Sequence, residues 1–276
     1  MSGAGVKLGV IAGGGPLPRQ VVERCRASGR PVFVAALEGH TEPATCTGVP
    51  HVWFKLGSVG ALLKTLKAER CVEVVMIGPI ARPSFSSLKL DLRGIVLMAK
   101  VGRAAAQGDN ALLGVLVQEL EREGFKVVGA DDLLDDVRTP RGVLGKIAPD
   151  ERARRDIDVG CRAARQIGLA DIGQAVVVQH GVVLGVEAIE GTDALILRCG
   201  ALQREGPGGV LVKLKKPEQE ARADLPTIGR RTIEVLAIEG LRGVALEAGA
   251  SLIIDRREVI AEADRRGVFV IGIVPS

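Results

Sequence analysis

The chain has 276 residues, of which 47% are hydrophobic and 25% charged, a composition typical of folded globular proteins rather than disordered ones. Its formal net charge of +4 suits an anionic substrate or a membrane surface. With no Tyr, one Trp and five Phe, the chain offers few rings for stacking on bases, so we expect no nucleic-acid partner.

The length predicts two domains, which we place at residues 1–134 and 135–276 because a stretch rich in Asp, Gly and Pro separates them. In the first domain strands alternate with helices, which is typical of a Rossmann-like α/β domain with a parallel sheet. The predicted strands are 7–12, 32–37, 72–77 and 125–129, and the predicted helices are 17–27, 59–67, 90–105 and 111–123.

The second domain is predicted to be a distinct α/β domain. Its predicted helices are 150–167, 192–202, 231–239 and 257–265, and its predicted strands are 175–179, 182–187, 209–214, 243–246, 252–254 and 268–274. His180-Gly181 predicts a tight hairpin turn, and Gly191 or Thr192 is expected near the N-cap of the helix that follows.

Cysteine usage and hydropathy indicate a cytoplasmic protein. The five cysteines are an odd number without a CxxC spacing, which favours reduced thiols that serve in packing. No apolar run reaches the roughly 18 to 20 residues that a membrane-spanning helix needs. We therefore expect a chain that is neither exported nor threaded through a bilayer.

A glycine-rich loop follows the first strand and leads into the first helix. Gly13, Gly14 and Gly15 could form a cradle for a phosphate or a nucleotide, because backbone N–H groups and the helix dipole favour an anion there. The same glycines could instead serve only to allow a tight turn from the strand into the helix. The sequence does not decide between the anion-binding and the purely structural interpretation. The dinucleotide fingerprint would need a glycine at Pro18, which disfavours NAD.

Other polar residues limit the choice of metal and of reaction. Asp109 is a candidate N-cap for a helix at Ala111, or else a ligand-binding carboxylate. The three histidines, His40, His51 and His180, lack the paired spacing of a zinc site, and no Gly-x-Ser-x-Gly elbow supports a serine triad. Any metal should therefore be Mg²⁺ or Mn²⁺ on oxygen ligands.

The polar residues of the second domain follow or precede its predicted strands. Thr192 and Asp193 offer a hydroxyl, a carboxylate and free N–H groups at a helix start, and Lys213 ends a strand as a cation for phosphate oxygens. Gln174 precedes one strand and Glu190 follows another. Each alone is better explained by capping or solvation, but together they favour a site for phosphate and a divalent cation.

Asp224 lies in a loop that the sequence predicts to be rigid. Pro226 restricts Leu225 to an extended conformation, which keeps the Asp224 carboxylate on a loop rather than in a helix. Such a carboxylate suits a metal ion or an attacking water.

Several ordered motifs resemble those of the LpxI family, the UDP-2,3-diacylglucosamine pyrophosphatases of lipid A synthesis, over nearly the whole chain. The motifs are Leu8-Gly9-Val10-Ile11-Ala12-Gly13-Gly14-Gly15-x-Leu17-Pro18, Gly173-Gln174-Ala175-Val176-Val177-Val178, Val186-Glu187-Ala188-x-Glu190-Gly191-Thr192-Asp193-Ala194, Gly209-Val210-Leu211-Val212-Lys213, Lys216-Pro217-x-Gln219, Asp224-Leu225-Pro226-Thr227-Ile228-Gly229 and Glu247-Ala248-Gly249. Several motifs in the same order are far more specific than any one of them.

The resemblance implies a cytoplasmic enzyme with a Rossmann-like N-terminal domain, a C-terminal α/β catalytic domain and an active site in the cleft between them. It implies hydrolysis of the pyrophosphate of UDP-2,3-diacylglucosamine to UMP and 2,3-diacylglucosamine 1-phosphate, lipid X, with Mg²⁺. The predicted catalytic residues are Asp224, Lys213, Thr192 and Asp193, with Asp224 and Asp193 as metal ligands. The predicted substrate-binding residues are Gly13, Gly14, Gly15, Gln174, Glu190 and Asp109.

The lipid substrate implies further partners. Leu97, Val101 and Leu112 are candidates to line the acyl-chain site, although core packing is the better explanation for each alone. We expect reversible peripheral contact with the inner membrane and a lipid product that co-purifies with the protein. The sequence does not decide between a monomer and a homodimer. The alternatives are a non-catalytic nucleotide or lipid-binding module, or an oxidoreductase that uses the Rossmann-like half.

Overall fold

The computed structural model describes residues 5–80, 90–104, 109–134, 136–217 and 219–275. The chain divides into two compact units, which we call the N-terminal unit, Met1–Asp135 with Glu220–Asp224, and the C-terminal unit, Asp136–Gln219 with Leu225–Ser276. The short segment Glu220–Asp224 therefore belongs to the first unit although it lies late in the chain.

The N-terminal unit contains a parallel five-stranded sheet in the order β3-β2-β1-β4-β5. Its strands are β1 Leu8–Ala12, β2 Val32–Leu37, β3 His51–Phe54, β4 Glu73–Ile77 and β5 Lys126–Val127, and its helices are α1 Leu17–Ala27, α2 Val59–Ala68, α3 Leu92–Ala104 and α4 Asp109–Arg122. This strand order is that of Rossmann-like domains and confirms the predicted fold class.

Continuous apolar runs produce the central strands of this sheet. Every residue of β1, β2 and β4 is buried, as expected of strands covered by helices on both faces. The sequence did not predict β3, a strand at the edge of the sheet in which His51, Val52 and Trp53 are exposed. Its short, mostly exposed run lacks the apolar pattern by which a buried strand is recognised.

The C-terminal unit contains a mixed six-stranded sheet in the order β6-β13-β11-β9-β7-β8 and a parallel pair β10-β12. Its strands are β6 Gly142–Leu144, β7 Ala175–Gln179, β8 Val182–Val186, β9 Val210–Lys213, β10 Thr227–Ile228, β11 Gly243–Glu247, β12 Leu252–Ile253 and β13 Phe269–Ile273. Its helices are α5 Glu151–Leu169, α6 Thr192–Gly200, α7 Arg230–Ile238 and α8 Arg256–Arg266.

Alternating side chains of the C-terminal sheet serve two separate cores. Ala175 and Val177 of β7 pack in one cluster with residues of α6, α7 and α8, whereas Val176 and Val178 pack in the other with α5. The two-residue period of a strand accounts for this division. The unit is thus a three-layer α/β/α structure.

The predicted hairpin between β7 and β8 is confirmed. His180 and Gly181 both have positive φ, 52° and 75°, which is the conformation of the two-residue turns that match the twist of paired strands. The sequence predicted Gly191 or Thr192 near the N-cap of α6. In the structure the N-cap is Gly191, with a φ of 82°.

Two expectations about the whole chain can be compared with the described residues. All five cysteines are buried and free, and burial raises the pKa of the Cys71 and Cys161 thiols to about 11, which fits a packing role. None of the described helices is both long enough and apolar enough to cross a bilayer.

Candidate functional site

One edge of the C-terminal sheet gathers the polar residues of the predicted site. Because β7 is antiparallel to both β8 and β9, its first residue lies beside the last residues of those strands, with Ala175 opposite Lys213 and Val176 opposite Val186. Gln174, Glu187 and Lys213 therefore meet at this edge. Helix α6 begins five residues after Glu187, which brings Thr192 to the same place.

Lys213 is the centre of a partly buried hydrogen-bonded group that we call the Lys213 cluster, formed by Glu187, Thr192, Lys213 and Thr227. The Lys213 side chain belongs to a residue only 6% exposed, and its Nζ donates to Thr192 Oγ1 at 2.9 Å and to the Thr227 carbonyl at 3.0 Å. Thr192 Oγ1 donates in turn to Glu187 Oε1 at 2.6 Å. A solvated surface role for Lys213 is thereby ruled out.

The backbone around Glu187 is tightly fixed. A Cβ on Gly173 would lie 2.1 Å from the Glu187 carbonyl oxygen, so only glycine fits there. The Gln174 backbone N–H donates to Glu187 Oε2 at 3.1 Å, and the Glu187 N–H donates to the Ala175 carbonyl at 2.8 Å. The Gln174 side chain accepts a hydrogen bond at 3.1 Å from the buried Gln219.

Lys216 is also buried, but it has a different environment from Lys213. Its Nζ donates to Asp171 Oδ1 at 2.5 Å in an ion pair whose two side chains are both largely buried. The Lys216 backbone N–H donates to Gln219 Oε1 at 3.0 Å. This lysine has a carboxylate of its own and so fixes the loop that carries Gln219.

The two remaining carboxylates of the predicted C-terminal site are more exposed and paired with arginines. Glu190 accepts from Arg198, and this hydrogen bond holds the pKa of the Glu190 carboxyl below its usual range. Asp193 Oδ2 lies 3.2 Å from Arg231 Nε, with side-chain exposures of 39% and 82%. An ion pair this exposed adds little stability, so Asp193 can change partners at low cost.

Asp224 ends the segment Glu220–Asp224 of the N-terminal unit. The backbone N–H groups of Ala223 and Asp224 both donate to the Glu220 carbonyl, and Ala223 packs against the core of that unit. Arg222 pairs with both Glu220 and Glu121. Asp224 lies outside any helix, as its sequence context predicts, directly after the turn at residues 221–223.

The glycine loop of the N-terminal unit has its first two amides already bonded. The Gly13 N–H donates to the Ile77 carbonyl and the Gly14 N–H to the Pro79 carbonyl, at 2.8 and 2.9 Å. A Cβ on Gly13 would lie 2.4 Å from the Gly78 carbonyl oxygen, which gives this glycine a packing role. Gly15 has a φ of 72° and more open surroundings, so a ligand-binding role for the loop stays a prediction centred on Gly14 and Gly15.

For three of the predicted residues the structure describes the backbone but not the side chain. Helix α4 begins at Asp109, but the side chains of Asp109, Val101 and Leu112 are outside the described part. Leu97 is buried, which agrees with ordinary core packing.

The described residues contain no group of three or more His, Cys, Asp or Glu side chains placed to hold a metal ion. Mg²⁺ does not require such a group, because it commonly takes one or two protein carboxylates together with waters and substrate phosphates. The exposed carboxylate of Asp193, next to the Lys213 cluster, has the chemistry that this kind of ligation needs.

Comparisons with known proteins agree with the motifs. Models of the LpxI N-terminal domain and the LpxI C-terminal domain match residues 7–137 and 140–271. The chain is 44% identical over 276 residues to a protein of Caulobacter vibrioides named UDP-2,3-diacylglucosamine pyrophosphatase LpxI, and the match covers 98% of each chain.

Two solved structures show a much weaker likeness. A CobK precorrin-6A reductase is 13% identical with a TM-score of 0.34, covering 98% of this chain and 90% of that one. A UDP-glucose 4-epimerase of Thermus thermophilus, in complex with NAD, is 13% identical with a TM-score of 0.33, covering 98% and 87%. Likeness at this level indicates neither activity nor ligand.

Proposed function

The chain belongs to the LpxI family, and we propose that it hydrolyses the pyrophosphate bond of UDP-2,3-diacylglucosamine. The observation that supports this best within the molecule is the buried ammonium of Lys213 at the edge of the C-terminal sheet. Its hydrogen bonds go to neutral oxygens, and no carboxylate among the described residues forms an ion pair with it. A buried cation of this kind favours an anionic ligand such as a diphosphate.

The proposed reaction consumes one water. The water oxygen forms a new bond to one phosphorus of the diphosphate, and the bond from that phosphorus to the bridging oxygen breaks. The two protons of the water pass to the solvent and to the product phosphates. The bridging oxygen leaves with the other phosphoryl group, and the products are UMP and 2,3-diacylglucosamine 1-phosphate. Because negative charge gathers on the leaving phosphate, a fixed cation nearby lowers the barrier.

The predicted site residues have proposed roles. Lys213 contacts a phosphate oxygen, and Asp224 orients the attacking water or holds the metal. Gln174, Glu190 and the glycine loop at Gly14 and Gly15 bind the substrate. These assignments rest on residue chemistry, on the hydrogen bonds of the segments that carry them and on the family motifs.

The proposed cofactor is Mg²⁺, with Mn²⁺ as the substitute, and Asp193 and Asp224 are the carboxylates that would hold it. When bound, such an ion neutralises charge on phosphate oxygens. Asp193 supports this assignment because its present partner is an exposed arginine that gives it up at low cost.

We also propose that the protein is cytoplasmic and contacts the inner membrane reversibly. A substrate with two acyl chains provides a large drive for burial, about 0.8 kcal/mol per CH₂ group. The net charge of +4 adds weak attraction to anionic lipid, screened within about 8 Å at physiological salt.

Incubation with UDP-2,3-diacylglucosamine, with and without Mg²⁺, tests the proposal. We expect equimolar UMP and 2,3-diacylglucosamine 1-phosphate that appear only with the metal. A non-catalytic nucleotide or lipid-binding module would bind the same compound and release no UMP. An oxidoreductase would instead change the absorbance of an added nicotinamide cofactor.

A further inference from the structure

Glu187 is a buried carboxylate within the candidate site that none of the predicted roles includes. It is 6% exposed, and its two carboxylate oxygens have different partners. Oε1 accepts from Thr192 Oγ1 and Oε2 from the Gln174 backbone N–H. Burying a carboxylate this deeply costs desolvation free energy. Its hydrogen bonds offset that cost only when all of them are formed.

The direction of each hydrogen bond in the Lys213 cluster follows from the chemistry of its members. An ammonium group has three donors and no acceptor, so Thr192 Oγ1 must accept the hydrogen bond from Lys213. The single proton of the Thr192 hydroxyl is therefore directed to Glu187. That proton is not available to a substrate oxygen.

One N–H donor of the Lys213 ammonium group remains without an acceptor among the described residues. Two of its N–H groups are directed to Thr192 Oγ1 and to the Thr227 carbonyl. Within the described residues the third has no acceptor, and the tetrahedral geometry of the ammonium fixes its direction once the other two are held. Lys213 thus presents a single N–H of defined direction.

The Thr192 hydroxyl lies between the Lys213 ammonium and the Glu187 carboxylate and keeps them from pairing directly. Lys213 and Glu187 form no direct ion pair, although Thr192 brings their charges near each other. A direct carboxylate partner would compete with a phosphate for the ammonium. With the hydroxyl between them, Glu187 balances the buried charge and leaves the ammonium open to an anionic ligand.

We propose that Glu187 is a positioning residue, which acts through Thr192 to hold the Lys213 ammonium so that its third N–H meets a phosphate oxygen of the substrate. Thr192 is then also a positioning residue rather than a direct donor to the diphosphate. This inference rests on the proposed function of the site.

A double-mutant cycle tests the coupling. Glu187→Gln and Thr192→Val should each lower kcat/KM for UMP release by about 10- to 100-fold, the range for losing a hydrogen bond to a charged group. Because both act through one chain of bonds, the double variant should be at most about threefold worse than the worse single variant. Effects that multiply would overturn the proposal.

Two further variants separate positioning from structure. Thr192→Ser keeps the hydroxyl and should retain most of the wild-type activity, whereas a loss as large as that of Thr192→Val would contradict the proposal. Glu205→Gln, which neutralises an exposed carboxylate of the same unit, is the matched control and should leave activity unchanged. If Glu187→Gln does not fold, the comparison of Thr192→Val with Thr192→Ser tests the positioning role by itself. A lower melting temperature with normal kcat for the folded protein would make Glu187 merely structural.

Binding of UDP distinguishes failure of this inference from failure of the proposed function. If the wild type releases no UMP from UDP-2,3-diacylglucosamine, the proposed function fails, and titration calorimetry with UDP still tests the cluster. Glu187→Gln and Lys213→Met should both weaken UDP binding by about tenfold, as expected for one charge-assisted bond. Unchanged binding in Glu187→Gln would overturn the positioning role.

Discussion

Replacing Lys213 with Met removes the ammonium while keeping an unbranched side chain of similar reach. Loss of one fixed donor to a developing phosphate charge costs about 10² to 10³ in kcat, so kcat/KM for UMP release should fall by that factor. The Thr227 carbonyl also loses its donor, which costs about 1 to 3 kcal/mol of folding stability. The melting temperature should then fall by roughly 2 to 4 °C per kcal/mol.

The assay must separate these two effects. Turnover should be measured at about 20 °C or more below the melting temperature of each variant, where folded protein dominates, with circular dichroism as the check on folding. Lys146→Met is the matched control, because Lys146 is exposed in the same unit and should change neither quantity. Lys216→Ala should cost more stability than turnover, since Lys216 pairs with Asp171. Wild-type turnover in Lys213→Met would refute the assignment.

Four other variants test separate parts of the molecule. Asp224→Ala should fold normally, retain ligand and lose about 10² to 10⁴ in turnover, and near wild-type rates would contradict its role. Gly13→Ala should lower the melting temperature, because its Cβ would lie 2.4 Å from a carbonyl oxygen, whereas Gly14→Ala should mainly raise the half-saturating substrate concentration. Burial raises the pKa of Glu73, but hydrogen bonds from Lys126 and Arg30 outweigh it and leave the pKa lowered. The resulting stability is present above the unfolded pKa of about 4.3 and lost as pH falls through the lower folded value, so Glu73→Gln should destabilise at pH 7 and progressively less below about pH 4. A difference in melting temperature that persists undiminished at low pH would contradict this.

The fold class could be predicted because its main signals are local. Buried parallel strands such as β1 and β2 are continuous apolar runs, and the hairpin at His180-Gly181 has residues that its turn needs. The edge strand β3 and the two-residue strand β10 escaped prediction, because few side chains of β3 are buried and the pattern of β10 is too short.

The candidate site could be predicted only in part. Lys213, Thr192 and Gln174 have residue types that suit a phosphate site, and the β7–β8 hairpin was predictable from its turn. That Lys213 meets the others depends on the antiparallel pairing of β7 with β9, which no local pattern encodes. Glu187 was missed because a glutamate at a strand end usually lies in solvent. Its surroundings are set by tertiary contacts such as the close approach of Gly173 to its backbone, between residues 14 apart in the chain.

The assignment of Glu220–Asp224 to the N-terminal unit was equally beyond the sequence. Ala223 packs against a core made by residues more than 90 positions earlier in the chain, and Arg222 pairs with Glu121. Contacts at such separation follow from tertiary structure rather than from periodicity.

Mass detection of the products formed from UDP-2,3-diacylglucosamine by the purified protein with Mg²⁺ tests the proposed hydrolysis most directly. If the protein carries out this hydrolysis, UMP and 2,3-diacylglucosamine 1-phosphate form in equal amounts, a chelator abolishes their formation, and Lys213→Met and Asp224→Ala strongly reduce it. Intact substrate after prolonged incubation of folded wild-type protein, or equal turnover in wild type and both variants, would contradict it.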